Sequence, residues 1–139
     1  MIDIGANIGD TSLNMAAAAG GKGRVVAFEM GPPADILRIN IKQNPQFQVD
    51  LHEVAVSDSF GSVAYHSNSG GANGGIPQDQ DSRPIDILSS YQSVKLYQYL
   101  QTKYKEEFIQ NICFMKTDTE GHDITILEVS CLDHCPKYN

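Results

Sequence analysis

Short apolar runs alternate along the chain with stretches in which apolar residues recur every three or four positions. The runs at 1–4, 23–29, 48–58 and 111–118 predict buried strands. The longer spacing predicts helices over 10–20, 32–44 and 84–108, the last with a break near Ser89 and Ser90, and a further helix from residue 120. This alternation is typical of an α/β, Rossmann-like, doubly wound and mostly parallel sheet.

Between the third strand and the third helix the pattern changes. The segment GSVAYHS at 61–67 alternates, which predicts a short strand paired with the preceding one as a hairpin. Residues 67–82 contain four glycines and one proline. This composition predicts a glycine-rich mobile surface loop, of the kind that borders active sites. The 139 residues are otherwise expected to form a single domain.

The charge and hydrophobicity of the sequence exclude some classes of binding partner. The formal net charge of −7 disfavours nucleic acid. No apolar run approaches the ~20 residues that a membrane span requires, so no membrane partner is expected. A small-molecule substrate is the simplest alternative.

Three cysteines do not make a disulfide framework. Reduced cysteines and the absence of a signal sequence favour a cytoplasmic location.

Two cysteine-bearing segments raise further questions. Cys113 falls in an apolar run, which predicts a buried reduced thiol. The segment CLDHC at 131–135, with His134 and the distant His122, could suggest a metal site. Its spacing fits no standard zinc pattern and Pro136 follows at once, so no metal is predicted.

Polar residues follow three of the predicted strands. Gly5 and Gly9 allow a sharp turn into a helix N-terminus, where free N–H groups favour an anion. Glu29 ends the second strand and could accept hydrogen bonds from both hydroxyls of a ribose. Asp58 follows the third strand, where it could accept from an exocyclic amino group. Each acid singly is more commonly a helix cap or a solvated loop residue. The three in order indicate a nucleoside-containing cofactor.

The glycine spacing decides among nucleotide classes. No Lys-Ser or Lys-Thr pair follows the glycines, which argues against a nucleoside triphosphate. The turn reads G-x-x-x-G, and Asn7 stands where a dinucleotide site has its second glycine. An NAD-binding oxidoreductase is therefore a less favoured alternative.

Four segments in this order carry a family resemblance. DIGANIGDTSL, VVAFEMGPP, LHEVAVSDSFGSV and FMKTDTEGHDITIL resemble the successive motifs of the FkbM family. The resemblance runs from residue 1 to about residue 128, and the combination of DIGANIG with DTEGHD is its most specific part. Members of this family are class I S-adenosylmethionine-dependent methyltransferases that act mostly on oxygen. The resemblance implies O-methylation of a small hydroxylated or sugar-like acceptor.

The resemblance also implies a set of residues that bind S-adenosylmethionine. Residues of the first motif would surround the methionine part, the acid after the second strand would hold the ribose, and two residues after the third would face the adenine. The acid after the fourth would lie near the amino group and the transferred methyl. In chain order these are Asp3, Gly5, Ala6, Asn7, Gly9, Glu29, Met30, Val56, Asp58 and Asp118.

A hydroxyl acceptor benefits from a base that removes its proton as the new bond forms. Asp118, Glu120 and His122 are the candidate catalytic residues, and His66 is a more distant one. Structural roles remain open beside the catalytic ones. Glu120 could support the turn by accepting from backbone N–H groups, and His122 could help to start the helix.

The resemblance further implies a seven-stranded sheet of order 3-2-1-4-5-7-6. After residue 128 the sequence offers no counterpart of the fifth to seventh strands. We therefore expect a partial methyltransferase domain whose fourth strand is an exposed apolar edge, open to pairing in a homo-oligomer. A catalytically inactive remnant of the fold is the alternative to an active enzyme.

Overall fold

The computed structural model describes residues 1–20, 22–67, 74–75 and 87–131. The strands are β1 (Ile2–Ile4), β2 (Arg24–Phe28), β3 (Gln48–His52), β4 (Ala55–Val56), β5 (Gly61–Ser67), β6 (Gly74–Gly75), β7 (Ile87–Val94) and β8 (Met115–Thr117). The helices are α1 (Asp10–Ala18), α2 (Pro33–Gln43), α3 (Leu96–Lys103), α4 (Glu106–Gln110) and α5 (Asp123–Cys131).

Four parallel strands form the first sheet, in the order β3-β2-β1-β8. Apart from Asp3 and Arg24, the two central strands β1 and β2 are apolar, and every residue except Arg24 is buried, as expected for strands covered on both faces. This order and direction confirm the Rossmann-like doubly wound sheet that the sequence predicts.

Each face of the first sheet has its own apolar core. On one face, α1 and α2 pack against β2 and β3 through Ala16, Val25 and Leu37. On the other face, α3 and α5 cover β1 and β2 through Leu100, Ile126 and the largest buried side chain, Phe28. The helices therefore hold the carboxyl ends of the strands in fixed positions relative to one another.

A second sheet, in the order β4-β7-β5-β6, corrects two predictions. The stretch 48–58 is not one strand, because the chain leaves the first sheet after His52 and re-enters pairing at Ala55 in the second. The 61–67 strand is confirmed, but its hairpin partner is wrong. β5 pairs antiparallel with β7, while β4 pairs with β7 in parallel.

The predicted helix over 84–108 is also wrong in its first part. Residues 87–94 form β7, and helical structure begins only at Leu96 and is divided into α3 and α4. Apolar positions at 88, 91 and 94 have helical spacing. Pairing with β5 along almost the whole strand outweighs this local pattern, which is a case of tertiary context overriding periodicity.

The strand predicted at 111–118 is shorter than its apolar run. Only Met115–Thr117 pair with β1, and this strand is half-buried. Cys113 precedes it and is exposed, so the prediction of a buried thiol is wrong. Phe114 is also exposed, and neither Cys113 nor Phe114 belongs to either apolar core.

Two other predictions fall mainly outside the described residues. Of the loop predicted at 67–82, the structure describes Ser67 and the pair Gly74–Gly75, which forms β6. Residues 132–135 of the CLDHC segment are likewise outside it. Within the described ranges, no helix is both long enough and apolar enough to cross a bilayer.

Candidate active site

A cleft of about 260 Å³ opens at the carboxyl ends of β1, β2 and β8. One part of its wall is apolar and another carries charged groups. The lining residues are Ile4, Gly5, Ala6, Asn7, Asp10, Thr11, Phe28, Glu29, Met30, Pro33, Val54, Ala55, Val56, Lys116, Asp118, Thr119, Glu120 and His122. Ligands bind at this edge in open parallel α/β sheets.

The loop between β1 and α1 requires glycine at two positions. Gly5 has φ +71°, and a Cβ atom there would lie 2.0 Å from the backbone oxygen of Asp118. Gly9 has φ +92°, and a Cβ there would lie 2.1 Å from Cδ1 of Leu37 on α2. Both a left-handed backbone and close packing therefore exclude a side chain. Without these side chains, the loop packs closely against the end of β8 at Gly5 and against α2 at Gly9.

Glu29 is the carboxyl group that the fold places beside this loop. The backbone N–H of Asn7 donates to its Oε2 at 2.7 Å. Burial raises the pKa of Glu29 to about 7, against the lowering effect of the Asn7 hydrogen bond and of the charge on Lys116. The group therefore changes charge near neutral pH, which is the behaviour of a carboxyl group kept in a partly dry site.

A buried ion pair supports the floor of the cleft. Asp3 is fully buried, and its Oδ2 accepts from Ser12 Oγ at 2.6 Å. Its Oδ1 lies 3.1 Å from Nζ of Lys116. The same ammonium group donates to the backbone oxygen of Gly5 at 2.9 Å and lies 3.9 Å from Oδ2 of Asp118. Lys116 thus connects the ends of β1 and β8.

Asp123 shapes the loop that follows β8. Its Oδ1 accepts from Thr117 Oγ1 at 2.7 Å, from Thr119 N at 2.9 Å and from Thr119 Oγ1 at 3.0 Å. Burial alone would raise the pKa of Asp123, but these hydrogen bonds outweigh it and hold the pKa below its usual value. Glu120, at φ +55°, lies in the loop held this way.

His122 forms another part of the cleft wall. Its Nε2 lies 3.0 Å from Oγ of Ser57, a buried hydroxyl that directly follows β4. Ser57 Oγ also donates to Oδ1 of Asp58 at 3.2 Å, and Ser59 Oγ donates to the same oxygen at 3.0 Å. The hydrogen bonds from Ser59 and Ser57 lower the pKa of Asp58. Asp58 is exposed and is not part of the cleft wall.

Comparison with known families decides the assignment. The family model described as "Methyltransferase FkbM domain" matches residues 3–135. The chain belongs to the FkbM methyltransferase family. Searches of the curated proteins and of the solved structures give no match to this chain. The match covers nearly the whole sequence and confirms the resemblance carried by the four motifs.

The FkbM domain brings most of the predicted site residues into one cleft. Those in the wall are Gly5, Ala6, Asn7, Glu29, Met30, Val56, Asp118, Glu120 and His122. Asp3 and Gly9 stand behind the wall, as supports of the first loop. Asp58 lies outside the wall, and the side chain of His66 lies outside the part of the chain that the structure describes.

Sequence reasoning missed three residues that organise the FkbM site. The patterns along the sequence give no role to Lys116, Ser57 or Asp123. In the structure Lys116 donates to the first loop, Ser57 contacts His122, and Asp123 accepts from the loop after β8. One signal was available for Lys116. Asp3 and Lys116 are the single charged residues of two short apolar strands that the fold pairs in register.

Proposed function

We propose that the chain binds S-adenosylmethionine in the cleft and transfers its methyl group to a hydroxyl of a small, hydroxylated or sugar-like acceptor. Membership of the FkbM methyltransferase family supports methyl transfer. The observation that carries the cofactor assignment is the position of Glu29. Its carboxyl group lies at the end of β2, bonded to the N–H of Asn7 in the loop after β1.

The residues around Glu29 suit the parts of this cofactor. One oxygen of Glu29 is engaged by Asn7, and a carboxylate has further lone pairs with which to accept from ribose hydroxyls. Met30, Val54 and Val56 supply an apolar wall next to it, as a purine ring requires. Asp118, exposed at the end of β8, offers a carboxylate to the amino group of the methionine part.

A sulfonium methyl group is already activated, so the protein's main task is alignment of the acceptor. The acceptor side of the cleft carries Asp118, Glu120 and His122. One of these groups takes the proton of the acceptor hydroxyl as its oxygen bonds to the methyl carbon and the carbon–sulfur bond breaks. The acidic character of this end favours a neutral or cationic acceptor over an anionic one.

Calorimetric titration with S-adenosylmethionine tests the cofactor assignment. In a buffer well above pH 7, where Glu29 is ionised, we expect saturable binding that weakens in Glu29→Gln by about 1.5–3 kcal/mol, the range for hydrogen bonds to a charged group. Glu53→Gln is the matched control, because Glu53 follows the neighbouring strand β3 but does not line the cleft. Equal loss in both variants, or no binding by the folded chain, would overturn the proposal.

Two further measurements separate the alternatives. NAD titrated in place of S-adenosylmethionine should give no binding, and tight NAD binding would favour an oxidoreductase. Release of S-adenosylhomocysteine in the presence of hydroxylated acceptors would identify an active enzyme. Binding of the cofactor without any such product across the acceptor classes would identify a cofactor-binding remnant.

A further inference from the structure

The hydrogen bonds of Ser57 specify where its single proton lies. The hydroxyl is buried and contacts two polar atoms, Oδ1 of Asp58 at 3.2 Å and Nε2 of His122 at 3.0 Å. A hydroxyl group can donate only once, although it can accept twice. The direction of one bond therefore sets the direction of the other.

The carboxylate of Asp58 sets the direction of both hydrogen bonds of Ser57. Its carboxyl group accepts from Ser59 as well as Ser57, and an ionised carboxylate is an acceptor only. Hydrogen bonds to a carboxylate are stronger than those between neutral groups. The Ser57 proton therefore points to Asp58, and the oxygen of Ser57 must accept from His122.

We propose that Ser57, oriented by Asp58, is a positioning residue that holds neutral His122 in the tautomer protonated on Nε2. In that tautomer Nδ1 carries the free lone pair. Among the residues that the structure describes, Nδ1 of His122 has no hydrogen-bond partner. Because His122 lines the cleft, Nδ1 is the nitrogen available to receive a proton.

This inference deepens the proposed function and rests on it only for its catalytic consequence. When His122 serves as the base, the acceptor O–H bond breaks and its proton moves to Nδ1, while the acceptor oxygen bonds to the methyl carbon and the carbon–sulfur bond breaks. The ring then becomes a cation with both nitrogens protonated. Its Nε2–H keeps the bond to Ser57, so the site need not rearrange during the step.

Nitrogen NMR of the full chain, labelled with ¹⁵N-histidine, tests the tautomer directly. The signals of His122 are identified by their loss in His122→Asn, and spectra are recorded at a pH where the ring is neutral. We expect the Nε2–H tautomer to predominate in the wild type and the preference to weaken in Ser57→Ala. Ser57→Thr, which keeps a hydroxyl, should restore it.

Ser59→Ala is the matched control, since Ser59 bonds to the same oxygen of Asp58 but does not contact His122. Its tautomer distribution should equal that of the wild type. Asp58→Ala provides a second route should Ser57→Ala not fold, because the exposed Asp58 lies outside the core. Without its carboxylate, Ser57 is free to donate to His122, and the Nδ1–H form should increase.

The results also separate this inference from the proposed function. A wild type that is mainly Nδ1–H, or equal distributions in Ser57→Ala and Ser59→Ala, would overturn the inference even if S-adenosylmethionine binds. The expected tautomer in a chain that does not bind S-adenosylmethionine would uphold the inference and overturn the proposed function. In an active enzyme, Ser57→Ala should lower kcat by roughly 10-fold or more, with cofactor affinity within about twofold of the wild type.

Discussion

Asp3 and Lys116 lie side by side at the centres of two neighbouring parallel strands, with Oδ1 and Nζ 3.1 Å apart. The carboxylate is fully buried, while the lysine side chain is 23% exposed and reaches the cleft. The pair therefore joins the core of the sheet to the floor of the candidate site. Its charge balance should matter to both.

Replacing Lys116 while Asp3 is kept should reduce the stability of the fold. We expect Lys116→Met to lower the free energy of unfolding by about 2–4 kcal/mol, because a buried carboxylate loses its counter-charge. The double variant Asp3→Asn, Lys116→Met should recover part of the loss. Urea unfolding measures both. Arg38→Met is the control, since its ion pair with Glu53 is at the surface and should contribute less than about 1 kcal/mol. Strictly additive losses would contradict the coupling.

Glu29 should make stability depend on pH. Burial holds the pKa of Glu29 near 7, above its ordinary 4.5, so the folded chain retains a proton that the unfolded chain has released between those values. The free energy of unfolding therefore falls as pH rises through this window. Well above pH 7, the free energy of unfolding of Glu29→Gln should exceed that of the wild type by about 3 kcal/mol, and the difference should vanish below pH 4.5. Chemical unfolding across pH measures it. A constant difference would contradict the cause.

Alanine substitutions at Gly5 and Gly20 distinguish the cost of backbone strain from the cost of steric overlap. Both have positive φ, +71° and +65°, but a Cβ at Gly20 meets nothing within 4 Å whereas one at Gly5 overlaps the Asp118 carbonyl. Gly20→Ala should cost about 1 kcal/mol of stability. Gly5→Ala should cost several times as much and abolish cofactor binding. Thermal unfolding and titration measure these effects, and similar losses in both variants would show that the overlap is relieved easily.

Asp123 should stabilise the fold at neutral pH and lose this effect in acid. Its lowered pKa means that the stabilisation is present above the unfolded-state value and disappears as pH falls through the folded-state pKa. Asp123→Asn should therefore be less stable than the wild type at neutral pH and approach it in acid. Thr125→Ser, elsewhere on α5, is a suitable control. Parallel pH curves for the wild type and Asp123→Asn would contradict the hydrogen-bond account.

The first sheet and most of the cleft wall were predictable because they depend on local patterns. Apolar runs ending in glycine or an acid mark the strand ends, and parallel order brings those ends together. Gly5, Glu29 and Asp118 were found in this way, and all three line the cleft.

The second sheet was not predictable from the same patterns. Tyr91 and Val94 have the spacing of a helix, yet they form β7 because β5, about thirty residues earlier, supplies the partner. Ser57 was missed for a related reason. Its hydroxyl has a role at the site because the fold brings His122, which is distant in the sequence, into contact with it.

The connection between the two sheets has a consequence for engineering. Strand β4 consists of Ala55 and Val56, and in the described part of the chain it joins the second sheet through its pairing with Ser93 and Val94. A segment exchanged between His52 and Lys95 would therefore carry its own strand partners with it, while β1, β2, β3 and β8 stayed intact. Chimeras cut at these two points would exchange one wall of the cleft together with Tyr65, which lies against Gly31, and would keep Glu29 itself on the retained side that follows β2.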